Sequence, residues 1–300
     1  MKITNLVISG GAYYGFCIYG ALKALNQKDK YTISDIENIY ATSIGSVLGC
    51  ILAMDYDWNT LDDYLIKRPW HQTFPVNLNT VFNAYSNCGI FDKKFVQSIM
   101  YPLLLGKHLD PNITLQEFYD ATQVKMNFVT TNIETVEQEI FSHTSHPNVL
   151  LTDALYLSCC IPVLFRPERY NDVIYLDGGI ISNYPIDQCI QDGADPDSII
   201  GIQLQGEKKS HIRTDSLLEF LFCLLNVFVR KILHVQPTNS IKNDIVIRKP
   251  ALAISGLYES INKQNVREEL VQDGSDIVNK FYENSMEVDD DNHDDNEESK

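Results

Sequence analysis

Basic charge is scarce in this 300-residue chain. Only 24 Lys and Arg stand against 40 Asp and Glu, a formal net charge of −16. A nucleic-acid binder needs clustered cations to displace counterions from phosphate, and docking on anionic lipid needs a polybasic patch, so the balance argues against both. A membrane-length apolar run is also missing. The most hydrophobic window, Leu217 to Val229 (LLEFLFCLLNVFV), holds Glu219 and Asn226 and is shorter than the roughly twenty residues of a span. The cysteines (Cys17, Cys50, Cys88, Cys159, Cys160, Cys189 and Cys223) form no C-x-x-C, so neither a zinc ribbon nor a thioredoxin motif is supported. Seven thiols in mostly apolar surroundings are expected to be free and buried, as in a reducing, cytoplasmic compartment. The opening MKITNLVISGG breaks its apolar run at Thr4 and Asn5 and is not expected to be a cleaved leader. With neither an internal repeat nor a Gly/Ser linker, one domain plus a tail is expected.

What is present is an ordinary globular composition, 44% hydrophobic and 21% charged. Ile3 to Ser9 reads as a buried strand closed by Gly10-Gly11, and GFCIYGALKALNQ follows at near-helical spacing. Asp35 to Tyr40 approaches a second strand, and SVLGCILAM is an apolar helix starting near Ser43. This βαβα opening predicts two adjacent parallel strands. Further strands are expected at Lys125–Thr130, Glu137–Ser142, Val173–Leu176 and Ser198–Gln203. Helices are expected at Asp153–Cys160, Leu217–His234 and Ser255–Asn284, and helices and loops across residues 55–115.

Three short motifs carry chemistry. Gly10-Gly11-Ala12-Tyr13-Tyr14-Gly15 lies between a strand and a helix. Glycines there let consecutive N–H groups point outward, and the helix N-terminus adds partial positive charge, a combination suited to a phosphate or a transient oxyanion. Phosphate motifs do not fit: Phe16-Cys17 stands where a Walker loop carries Lys-Ser/Thr, and Ser9 breaks G-x-G-x-x-G. Ala41-Thr42-Ser43-Ile44-Gly45 approximates G-x-S-x-G, the strand-to-helix elbow that exposes a serine hydroxyl. Asp177-Gly178-Gly179 follows the strand VIYL and puts a carboxylate at a strand's C-terminal edge, where sites in open α/β sheets gather. Taken alone, the first and third motifs could each be no more than a turn.

In this order the motifs resemble the patatin-like phospholipase family of lipid acyl hydrolases. Gly89-Ile90-Phe91-Asp92, Leu150 to Pro167 (LLTDALYLSCCIPVLFRP) and Asp177 to Pro185 (DGGIISNYP) are similar to further stretches of that family, and the similarity runs from about Asn5 to Leu204. The resemblance implies an α/β fold, three-layer α/β/α with a mainly parallel central sheet, for residues 1–204. Residues 205–282 are then expected as a C-terminal helical extension packed on the core. Residues 283–300, crowded with Asp289, Asp290, Asp291, Asp294 and Asp295, are expected as a disordered acidic tail. The resemblance also implies a Ser–Asp dyad, with Ser43 as nucleophile and Asp177 as base. Gly10, Gly11, Ala12, Tyr13, Tyr14 and Gly15 would form the oxyanion hole, Ala41 and Gly45 would flank the elbow, and Gly178 and Gly179 would form the acid loop. No metal or cofactor is implied. Tyr14 stands where the family usually carries Arg or Lys, and Ala41 where it carries Gly; the first departure predicts slower turnover.

The expected substrate is a phospholipid or other glycerolipid ester, met in transient contact with a membrane or lipid interface. The charge of −16 favours neutral or zwitterionic lipid. The segments Trp58–Phe91 and Leu217–Val229 are the candidates to line or cover an acyl trough. His143 and His146 form H-x-x-H in a loop and are expected to be solvated rather than ligating. Three other readings stay open. One is a weak or inactive relative acting as a lipid-binding or scaffold protein. Another is a histidine-dependent α/β-hydrolase, which would need His211, His234 or His293 and more strands before its elbow. The third is a protein-interaction module working through the acidic tail.

Overall fold

The computed structural model describes residues 2–74, 88–207, 217–229 and 235–294. Its strands are β1 (Asn5–Ile8), β2 (Asn38–Thr42), β3 (Gly89–Phe91), β4 (Lys125–Asn132), β5 (Glu137–Phe141), β6 (Val163–Phe165), β7 (Glu168–Tyr170), β8 (Val173–Asp177), β9 (Ile199–Gly206) and β10 (Asn243–Lys249). Leaving single turns unlabelled, its helices are α1 (Gly15–Gln27), α2 (Ile44–Ala53), α3 (Lys94–Gly106), α4 (Leu115–Thr122), α5 (Leu151–Cys159), α6 (Ile186–Gln191), α7 (Leu217–Phe228), α8 (Ile254–Asn262) and α9 (Gln264–Asp294).

The main sheet runs β10-β9-β1-β2-β4-β8-β7, with β5 also paired to β4. From β10 to β4 every pair is parallel; β5, β7 and β8 pair antiparallel. Strand residues alternate between two faces. Leu6, Ile8, Ile39, Ile200 and Ile202 join the main core on one side. Val7, Tyr40 and Ile199 meet Ile186 and Cys189 of α6 on the other. The result is a mainly parallel α/β sheet covered on both faces. α9 crosses α1 at backbone contact: a Cβ on Gly20 would lie 2.0 Å from the Val271 carbonyl oxygen, and one on Gly274 would lie 1.9 Å from that of Cys17.

One feature of the register positions the site. β2 pairs with the first part of β4, ending at Thr42 opposite Val129. β8 pairs with the last part, with Asp177 opposite Thr130. β5 spans both regions of β4 from Phe128 to Asn132, so β2 and β8 share β4's other edge. β2 runs parallel to β4 and β8 antiparallel to it. Their C-terminal ends therefore meet head to head, and the turns that follow, Ser43 and Gly178, leave the sheet side by side.

The structure departs from expectation in several places, one being Cys88, which is exposed where all seven thiols were expected to be buried. The segment beyond 204 is not purely helical: β10 adds an edge strand, with Ile245 and Ile247 alternating into the core at 0% exposure. Its period-2 pattern, Asn-Asp-Ile-Val-Ile-Arg-Lys, is a strand signal between the two expected helices of that segment. The short strand β3 lies in a stretch expected as helices and loops, and β6 and β7 fall between the expected helix ending at Cys160 and the expected strand at Val173. α9 runs on to Asp294, into the segment expected as the acidic tail. Residues 295–300 lie outside the described residues. Finally, His143 and His146 are half-buried and stacked, on Tyr119 at 3.8 Å and Phe141 at 4.0 Å between ring centroids. The expected helix to His234 is described only through Phe228, and residues 75–87 of the aromatic segment likewise lie outside the described residues.

Candidate active site

Ser43 stands between β2 and α2 with φ 55° and ψ −127°. A non-glycine residue in so sparsely populated a region is strained by about 1–3 kcal/mol. Two contacts hold it there. Its N–H donates to Ser158 Oγ at 3.0 Å, and Ser158 donates its own proton to the Val129 carbonyl at 2.7 Å. With that proton engaged, Ser46 Oγ, 3.0 Å away, must be the donor of its bond to Ser158. The second contact is close approach: a Cβ on Gly45 would lie 2.6 Å from the carbonyl oxygens of Ile8 and Ser9. Gly45 is thus required by space. Ala41, fully buried in β2, keeps ordinary negative-φ backbone, so the missing first glycine of the elbow costs nothing there. We predict that Ser158→Ala, which leaves buried main-chain groups unmatched, lowers stability by about 1–3 kcal/mol in urea unfolding.

Asp177 is 4% exposed. Its Oδ1 accepts from the Gly179 N–H at 2.7 Å, while Oδ2 is buried and has no hydrogen-bond partner among the described residues. Burial pushes the carboxyl up to about 6, against the Ser43 hydroxyl and the Gly179 N–H, both of which favour the carboxylate. Its backbone is pinned, since its N–H donates to Cys160 O and its carbonyl accepts from Thr131 Oγ1, both at 3.0 Å. Gly178 presses on β4, where a Cβ would lie 2.4 Å from Val129 O. Ser43 and Asp177 line one cleft, with the Ser43 hydroxyl close enough to favour the carboxylate while Oδ2 itself has no partner among the described residues. Catalytic hydrogen bonds are often long before substrate binds.

The glycine loop faces the same cleft, but its amides are not equivalent. Gly10 N–H donates to Asn183 O, Tyr14 N–H to Gly11 O, and Gly15 N–H to the Ala12 and Tyr13 carbonyls. The N–H groups of Gly10, Tyr14 and Gly15 are thus already engaged within the loop and with Asn183. The amides of Gly11, Ala12 and Ile44 have no acceptor among the described residues. Gly15 serves packing: a Cβ there would lie 2.4 Å from Ile44 Cγ1. The Tyr13 and Tyr14 rings lie with centroids 4.4 Å apart and planes tilted by 45°, Tyr14 being buried.

Asn183 ties the glycine loop to the acid loop. Its Nδ2 donates to Gly10 O at 3.2 Å, its carbonyl accepts from Gly10 N–H, and a Cβ on Gly10 or Gly179 would lie 2.6 or 2.8 Å from its Oδ1. Asn183 and Ser158 carry no motif of their own in the sequence. Both act through contacts far along the chain, which local pattern does not reveal.

Two cavities meet at Ser43. One is almost wholly apolar, lined by Phe74, Phe91, Phe95 and Ile99 among others. The other is mixed, lined by Asp177, Asn183, Gln203, Gln205 and Lys249 among others. Ala12, Ser43 and Ile161 border both. Among the described residues no group of three or more His, Cys, Asp or Glu is placed to hold a metal ion.

Comparison with known proteins agrees with this architecture. A probable lipid hydrolase of Invertebrate iridescent virus 6 is 28% identical over 189 residues, which cover 62% of this chain and 63% of that protein. The triacylglycerol lipase ptl3 of Schizosaccharomyces pombe is 23% identical over 175 residues, 54% of this chain and 34% of that one. The chain thus spans less than two thirds of the length of these curated relatives. Among solved structures, VipD from Legionella pneumophila superposes with a TM-score of 0.58 at 16% identity, covering 95% of this chain and 67% of that one; at that identity the likeness is one of fold. The family model described as patatin-like phospholipase matches residues 6–190, more than half of the sequence, and the chain belongs to that family.

Proposed function

We propose that the chain is a serine acyl hydrolase that cleaves carboxylic esters of phospholipids or other glycerolipids. The observation that carries this reading is the buried, unpartnered Oδ2 of Asp177 in the cleft that holds Ser43. A carboxylate in water is a poor acceptor for a hydroxyl proton; one raised to about 6 is a better one and is still mostly ionised at neutral pH. Ser43 Oγ attacks the acyl carbonyl as its proton passes to Asp177 Oδ2. The oxyanion is held by the N–H groups of Gly11, Ala12 and Ile44, the last at the N-terminus of α2. The tetrahedral adduct collapses to an acyl-Ser43 ester as Asp177 returns the proton to the departing alcohol. Water then attacks the acyl ester with Asp177 again as base, releasing fatty acid and restoring Ser43. The apolar cavity suits the acyl chain and the mixed cleft the alcohol portion, with Ser43 where they join. The test is fatty-acid release from phosphatidylcholine, phosphatidylglycerol and triacylglycerol. The reading expects release from at least one, with kcat/KM rising as pH increases through about 6, because only ionised Asp177 accepts a proton. A flat profile between pH 5 and about 7 would count against Asp177 as base.

Contact with a lipid surface is proposed through α7. Its one charged side chain, Glu219, is buried, and the carboxylate accepts from the Ile254 N–H at 3.2 Å. Leu217, Phe220, Leu221 and Phe228 instead stand 75%, 37%, 44% and 49% exposed. A helix facing only water would turn the other way. Leu225, Val227 and Val229 of the same segment border the cleft that holds Ser43. No described helix is long and apolar enough to cross a membrane, so the contact is peripheral. We expect Leu221→Asp with Phe228→Asp to weaken partition onto phosphatidylcholine vesicles about tenfold or more in a sedimentation assay. Unchanged partition would remove α7 from the interface.

A further inference from the structure

The apolar cavity is closed partly by residues beyond the family match. Leu257, Ser260 and Ile261 of α8 line it, beside Leu65 and Trp70 from the stretch after α2. Leu257 and Ile261 are four apart and so share one helical face. α8 is only nine residues long, too short to hold its place by helix propensity alone. It is held at three points. Glu219 caps its first amide. Tyr13 lies against Gly256, where a Cβ would be 2.4 Å from the Tyr13 ring. The third point is Arg267, in the first turn of α9.

Arg267 is 2% exposed. Its Nε donates to Ile66 O at 2.8 Å, Nη2 to Arg68 O at 3.1 Å, and Nη1 to Ser260 O at 2.7 Å and Ile261 O at 3.4 Å. A buried guanidinium is costly to desolvate, and packing alone would be served by an apolar side chain. Its bonds instead join two walls of one cavity. Ser260 and Ile261 supply the last carbonyls of α8, which have no acceptor role inside the helix. Ile66 and Arg68 belong to the stretch that carries Leu65 and Trp70 into the cavity. The planar five-donor fork can reach both sides at once, which a single ammonium cannot.

Resting on the hydrolase reading above, we infer that α8 is the acyl-chain wall of the substrate site and that Arg267 is the positioning residue that sets its place, so that the C-terminal helices govern which acyl lengths are accepted. The enzyme makes no covalent step through either; both act on fit. kcat/KM is measured on p-nitrophenyl esters from acetate to palmitate for wild type, Leu257→Trp, Arg267→Met and Arg267→Lys. Leu257→Trp fills the cavity and lowers the palmitate-to-acetate ratio of kcat/KM about tenfold or more. Arg267→Met lowers the same ratio, chiefly through KM for the long ester, and Arg267→Lys recovers part of it. Parallel loss on both esters, or an unchanged ratio in Leu257→Trp, overturns the inference. A second measurement does not depend on turnover: binding of the fluorescent fatty acid cis-parinaric acid to Ser43→Ala. Binding that Leu257→Trp abolishes supports the wall even if wild type cleaves no ester, in which case the hydrolase reading alone fails. Binding that Leu257→Trp leaves intact overturns the wall.

Discussion

Ser43→Ala is expected to lower kcat on any ester the protein cleaves by about 10⁴-fold or more, with the fold retained. The expectation rests on covalent catalysis: without Oγ no acyl intermediate forms, and only binding and amide donors remain. The substitution removes one oxygen from a side chain whose backbone is fixed by Gly45 and Ser158, so circular dichroism and vesicle partition should not change. Ser43→Gly separates chemistry from strain. It too should be inactive, yet more stable than Ser43→Ala by about 1 kcal/mol, because glycine tolerates the positive φ of 55°. Activity surviving in either variant would leave the protein without its nucleophile. Lipid partition that persists with no hydrolysis in wild type would favour the scaffold reading.

Asp177→Asn is expected to cost on the order of 10²–10⁴ in kcat, the range for a lost general base, and to stabilise the protein at neutral pH. The amide can still accept from the Gly179 N–H through its own oxygen, so the acid loop should keep its shape. The stability effect follows from the raised pKa. Between about 3.8 and about 6 the folded wild type holds a proton that the unfolded chain has lost, so its stability falls as pH rises through that window. Asparagine has no such titration. The variant should therefore be more stable by about 1–3 kcal/mol above pH 6, the advantage disappearing below about pH 4. Chemical unfolding at pH 4 and pH 8 measures this. A variant less stable than wild type at pH 8 would show that the carboxylate is well solvated or paired.

Much of this site was legible from short-range pattern. The glycine loop, the elbow at Ser43 and the Asp-Gly-Gly turn each sit at a strand end, and strand ends are marked locally by apolar runs and glycines. That Ser43 and Asp177 meet was implied only by resemblance. The physical reason lies in the register of β4, which carries β2 and β8 end to end on one edge. Neither that register nor the tasks of Ser158 and Asn183 leaves a local signal, because each depends on partners brought in by the sheet. The division among loop amides was illegible for the same reason: Gly10 is engaged by Asn183, far along the chain. Ala41 looked like a weakened elbow, yet the steric demand falls on Gly45. β10 was missed although its Ile245 and Ile247 alternate, since the residues around it favoured a helical reading of the whole segment.

The account stands on Ser43 being a nucleophile activated by Asp177. Treating the wild-type protein and Asp177→Asn with a fluorophosphonate and taking intact masses tests this directly. The account predicts a single adduct on the wild type, mapped by peptide mass to Ser43, and adduct formation slowed by at least about 10²-fold in Asp177→Asn. An adduct on another residue, or labelling of Ser43 at equal rates in both proteins, would contradict it.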